Sequence, residues 1–228
     1  MANSLDDTMA PDECLAPTAF IDSDHPSVIA FAERVCSEAH ATTDQERAVA
    51  LFLAVRDGWR YDPYNTGRLD DDYRASVVLE RPSAYCIPKS VLLSAACRAV
   101  AVPARLGFAD VRNHLQSEKL REKMGTDLFI YHGYSEIWID GRWHKVSSAF
   151  NKEMCARFGT KVLEWDGTGD ALMHPFDESG NRHMEYVNQR GSFVDLPLAE
   201  ILAAFDETYG PETTDGAPTT DESFAPTD

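Results

Sequence analysis

Cysteine is scarce in this chain and unpaired in its spacing. The five cysteines (Cys14, Cys36, Cys86, Cys97 and Cys155) are odd in number and include no CxxC, which argues against both a disulfide framework and a thiolate zinc site. The histidines show no HxxxH or related metal spacing, and neither a metal nor a cofactor is expected. No apolar run reaches the ~18 residues of a membrane span, and no basic-then-apolar segment opens the sequence. The expectation is a cytoplasmic protein with reduced thiols. Positive charge is also short: 21 Lys and Arg stand against 38 Asp and Glu, for a formal net charge of −17. A field of that sign repels nucleic acid and anionic membranes, so neither is an expected partner. The sequence does not specify an oligomeric state.

What is present is enough apolar material, 43% of residues, for one core of moderate size. Residues 1–17 carry no sustained periodicity and read as a flexible N-terminal segment, with the domain spanning 18–209. Residues 210–228, "GPETTDGAPTTDESFAPTD", hold a single aromatic among Pro, Gly, Thr and acid, and read as a disordered acidic tail because so little apolar surface cannot offset the entropy of ordering.

Between these ends the first half is helical and the second turns to strands. "DHPSVIAFAERVCSEAH" puts Val28, Ile29, Phe31, Ala32 and Val35 on one helical stripe, with Asp24 as cap and Pro26 in the first turn. "TTDQERAVALFLAVRDGW" opens with Thr43 and Glu46 at capping-box spacing and stops near Gly58. A third helix, about 86–101, shows Val91, Leu92, Ala95, Ala96 and Ala99 as a broad apolar face before Pro103 switches the chain to strand. In "DLFIYHGYSEIWIDGRWHKVSSAFN", residues 127–151, Asp140-Gly141 is a two-residue hairpin turn between alternating strands. That turn pairs Ile139 with Arg142. Counting outward puts Tyr134 opposite Ser147 and His132 opposite Ala149, so that His132, Tyr134, Glu136 and Ser147 share a face and Glu136 pairs across the hairpin with Lys145.

Cys86 opens the third helix, where free backbone N–H groups and the positive end of the dipole favour a thiolate and can receive an oxyanion. Pro88 suits such a start, since its missing N–H would have had no partner there. His132, on the hairpin's central strand, is the histidine best placed to take the thiol proton. Cys97, three turns along, reads as core. Residues 112–127, charged and amphipathic, read as a solvated connector helix close to the cleft rather than a lid. "HMEYV" reads as a short strand, and Leu198, Ile201, Leu202 and Phe205 as the stripe of a closing helix.

The blocks "YCIPKSVLL", "RAVAVPARLGFADV" and "YHGYSEIWIDGRWHKVSSAFN", in that order, resemble the transglutaminase-like superfamily over roughly residues 20–205. The resemblance implies an α+β papain-like core, helices packed on an antiparallel sheet, with the nucleophile at a helix N-terminus and Cys, His and Asp in chain order. It implies Cys86 as nucleophile and His132 as base. The third member, an Asp four residues after the hairpin tryptophan, is here Ser147, a departure; Asn151, four further on, is an alternative orienter if the strand bends back. The implied activity is cysteine acyl transfer on a peptide, protein or small amide substrate through a Cys86 thioester, with water or an amine as acceptor. The alternative is a non-catalytic binding module that keeps the fold with a degraded triad.

Overall fold

A computed structural model describes residues 11–64, 66–114, 118–172, 179 and 184–210 of the chain. Helix α1, Pro26–Glu38, begins behind His25, whose ring Nδ1 accepts the N–H of Ser27; the cap is therefore His25 and not Asp24. Helix α2, Asp44–Gly58, opens with the expected reciprocal box: Glu46 N–H donates to Thr43 Oγ1 and Thr43 N–H to the Glu46 carboxylate. A two-residue strand β1, Arg60–Tyr61, follows, then the short helix α3, Ala75–Leu79, and strand β2, Ser83–Ala84, which pairs with β1 in parallel. Helix α4 runs Cys86–Ala99, and strand β3 Ala104–Asn113. Helix α5, Glu118–Met124, leads to β4, Leu128–Ile139, and β5, Arg142–Val146. Helix α6, Lys152–Phe158, strand β6, Met184–Phe193, and helix α7, Leu198–Tyr209, complete the order.

β3 to β6 form one antiparallel sheet in the spatial order β5-β4-β3-β6. The observed architecture is the α+β class expected, with helices on an antiparallel sheet. Every residue of α4 from Cys86 to Arg98 is buried, because α1, α2 and α3 cover the sides that β4 and β3 leave open. A helix enclosed on all sides has no need of one apolar stripe, which is why serine, lysine and arginine occur in it, each with partners. Ser90 Oγ donates to the Cys86 carbonyl, Ser94 Oγ to Ser135 Oγ and Ser135 Oγ to the Ser90 carbonyl, tying helix to strand. Gly133 lets the two elements approach: a Cβ there would lie 3.1 Å from Ile87 Cα.

The hairpin forms as expected at its turn, Asp140 and Gly141 both having positive φ, and Ile139 pairs with Arg142. The ladder ends at Ser135 opposite Val146. Ser147 N–H points away from β4, as alternate residues of an antiparallel ladder do, and donates to the Ala171 carbonyl, where Val146 bridges Ala171 in parallel. Strand β6 is longer than "HMEYV", and α7 buries Leu198, Ile201 and Phe205, with Leu202 half-buried. Of the segment read as flexible, residues 1–10 lie outside the described residues. Residues 11–14 form a short 3-10 turn with Cys14 fully buried, and Arg98 donates to the Ala16 carbonyl. The tail from 211 onward also lies outside the described residues. Among the described residues no helix is long and apolar enough to cross a membrane.

Candidate active site

The first turn of α4 is where the sequence places its thiol, and Cys86 is the first residue of that helix, behind Tyr85 at the cap. Only 7% of Cys86 is exposed. Burial pushes its thiol up to about 11, opposed by the main-chain N–H groups of Gly133, Ile87 and Cys86 itself, which point at the sulfur. The thiolate expected near neutral pH is therefore disfavoured in this closed geometry: desolvation outweighs the helix start. His132, 2% exposed on β4, is lowered by burial to about 4. The resting pair is a neutral thiol and a neutral imidazole. Both side chains, one from the start of α4 and one from β4, line one cleft of about 650 Å³.

Ser147 is buried, but its hydroxyl has no hydrogen-bond partner, and neither has His132 Nε2. No hydrogen bond joins them. Asn151 does not orient the histidine either: its Oδ1 accepts the Tyr61 N–H and its Nδ2 donates to Glu153, because it sits at the cap of α6. Glu136 lies opposite Lys145, with Oε1 and Nζ 4.0 Å apart, but its shorter partners are Arg105 Nε at 2.5 Å and Ser192 Oγ at 2.8 Å. The Arg105 guanidinium lies 4.2 Å from the Trp143 ring centroid. Glu136 is thus tied to the sheet.

Two positioning groups escaped the sequence. Tyr131, immediately before His132, has φ +52, in a region that non-glycine residues seldom occupy. Its N–H is held by Asp110 Oδ1, which also receives Arg190 Nε at 2.6 Å, and the Arg190 guanidinium lies over the Tyr131 ring. Here the pairing of β3 with β4 shifts register, so the backbone that presents His132 is set by a carboxylate on the neighbouring strand. Lys89, fully buried one turn after Cys86, donates to the carbonyls of Arg56, Trp59 and Ala149 at 2.8, 2.9 and 2.9 Å. Burial draws it down to about 7, while three acceptors call for the three donors of an ammonium. It fixes α4 to the end of α2 and to the loop carrying Ser147. A lysine three residues after the cysteine was the only sequence signal for it.

Helix α5 supplies Leu120 and Met124 to the cleft wall, a closer role than a solvated connector. Cys97 is core, as expected. His174 and His183 lie outside the described residues. Among the described residues no cluster of three or more His, Cys, Asp or Glu could hold a metal ion.

A family model described as the Transglutaminase-like superfamily matches residues 29–148, more than half of the chain and a span containing Cys86, His132 and Ser147. No curated protein matches. Among solved structures, "The Crystal Structure of a Putative Cysteine Protease from Cytophaga hutchinsonii" is similar with a TM-score of 0.43 and 15% identity. The match covers 82% of this chain and 55% of that one, so the chain spans about half of that protein's length.

Proposed function

The chain belongs to the transglutaminase-like superfamily, and from that premise we propose that it is a thiol enzyme which takes an acyl group from an amide onto Cys86 and passes it to water or an amine. The superfamily is one of cysteine-based enzymes; the acyl-transfer chemistry and the roles below are our reading. The observation that carries it is the shared cleft: Cys86 at a helix start and His132 on the facing strand, with backbone N–H groups turned toward the sulfur.

Because burial holds the thiol up and the imidazole down, the proton moves as the sulfur attacks rather than beforehand. Cys86 Sγ forms a bond to the amide carbon, its proton passes to His132, and the carbonyl π pair moves onto oxygen. N–H groups at the helix start receive that oxyanion. As the pair returns, the C–N bond breaks and the imidazolium gives its proton to the departing amine. Water or a second amine then attacks the thioester, His132 takes its proton, and Cys86 leaves as the restored thiol.

One observation favours the second reading, a binding module with a degraded triad: His132 Nε2 is buried with no partner, and the position of the usual acid holds Ser147. Mass-spectrometric turnover of an amide panel, with and without added amine, separates the two. The expected result is turnover that Cys86→Ala and His132→Ala each abolish. Turnover that survives Cys86→Ala, or none by the wild-type protein on any member, overturns the catalytic reading.

A further inference from the structure

The cleft beside Cys86 has a composition that the reaction class does not dictate. Tyr61, Tyr64, Phe129 and Phe205 form much of its wall, with Leu120 and Met124 closing one side. Among the described residues, none that lines it is Asp, Glu, Lys or Arg. Several of its polar atoms are already engaged elsewhere. Tyr85 Oη donates to Tyr73 Oη, Tyr131 Oη to Glu200, and Tyr209 Oη to the Leu128 carbonyl while receiving the Ile130 N–H. These phenols therefore turn ring carbon, and not a free hydroxyl, toward an occupant. The buried imidazole is neutral as well. A charged group entering here would leave water and find no counter-charge, whereas an apolar one would lose only its hydration shell.

Across Tyr61 lies a second hollow of different chemistry, about 920 Å³, lined by Asp57, Arg60, Glu153 and Arg157 among others. Charged parts of a substrate have a place there and none in the cleft. The thioester keeps the acyl group on Cys86 through both halves of the reaction, while the amine departs, so the apolar wall beside the sulfur suits the acyl group. We infer that the acyl group accepted by Cys86 is uncharged and either aromatic or branched aliphatic, seated between Tyr64, Phe129, Leu120 and Met124. The inference rests on the acyl-transfer reading for its chemistry, but the cleft's preference can be measured without it.

Two arms test it. In the first, amides of one fluorogenic aryl amine carrying phenylacetyl, isovaleryl, acetyl or succinyl groups are compared by kcat/KM. Phenylacetyl and isovaleryl are expected at least ~10-fold above acetyl, since even one methylene in an apolar pocket is worth about that factor, with succinyl lowest. Met124→Asp is expected to cut the phenylacetyl value at least ~10-fold. In the second arm, calorimetry measures N-benzyl phenylacetamide and N-benzyl succinamate on the Cys86→Ala protein, where no chemistry occurs. Binding of the phenylacetamide at least ~10-fold tighter supports the cleft's preference. Should that preference appear while no amide is turned over, acyl transfer falls and the apolar specificity stands. Turnover or binding that favours the succinyl compound, or the absence of both turnover and binding, overturns the inference.

Discussion

Replacing His132 with Gln tests whether the fold holds this imidazole neutral. Burial lowers it to about 4 in the folded protein, against about 6.5 for an unfolded histidine. A side chain neutral in the fold and charged once released takes up a proton on unfolding, so falling pH favours the unfolded state. Its stabilising contribution is complete above pH ~6.5 and is lost as pH drops toward 4. Between pH 7.5 and 5 the loss amounts to about 2 kcal/mol, and by pH 4 to about 3 kcal/mol. Urea unfolding of the wild-type protein and His132→Gln at pH 7.5, 6 and 5 reads this directly, because the carboxylates common to both cancel in the difference. The wild-type protein is expected to lose about 2 kcal/mol more than the variant over that range. A preformed thiolate–imidazolium pair would raise the histidine instead, and the wild-type protein would then keep or gain relative stability as pH falls through 6.5. Parallel slopes, or that reversed one, would refute the neutral pair.

Lys89→Met leaves three buried carbonyls without a donor and is expected to cost roughly 3 kcal/mol in urea or thermal unfolding, relief of the desolvated charge notwithstanding; a loss below ~1 kcal/mol would mean that the clamp contributes little. Ser147→Ala removes a buried hydroxyl that bonds to nothing, so stability is expected within about 0.5 kcal/mol of wild type and turnover nearly unchanged. A loss of activity matching that of His132→Ala, with the protein still folded, would assign the hydroxyl a role that this geometry lacks.

Local chemistry made much of the fold legible in the sequence. The Thr43–Glu46 box starts α2 because both halves lie within four residues, and Asp140-Gly141 fixes Ile139 against Arg142 because a two-residue turn leaves no other pairing. Cys86 at a helix start could be read for the same reason. What stayed hidden depends on residues far apart in the chain. That Ser147 N–H bonds to Ala171, 24 positions further along, cannot be read from the hairpin alone. Asn151 was committed to Tyr61, 90 positions back. The positive φ at Tyr131, within β4, goes with Asp110 and Arg190, and nothing near His132 announces it. The ionisation of Cys86 depends on distant residues in the same way. A helix start can be read from the sequence, but the desolvation that opposes it comes from walls contributed by β4, α5 and α7.

The central claim is that Cys86 becomes acylated, and trapping the acyl enzyme tests it most directly. Wild-type protein mixed with a phenylacetyl aryl amide, quenched in acid within the first turnover and weighed intact, is expected to gain the mass of one phenylacetyl group. Peptide mapping is expected to place that group on Cys86, with no gain in Cys86→Ala. Release of the amine with no adduct at any quench time, or an adduct carried equally by Cys36 or Cys155, would contradict the account.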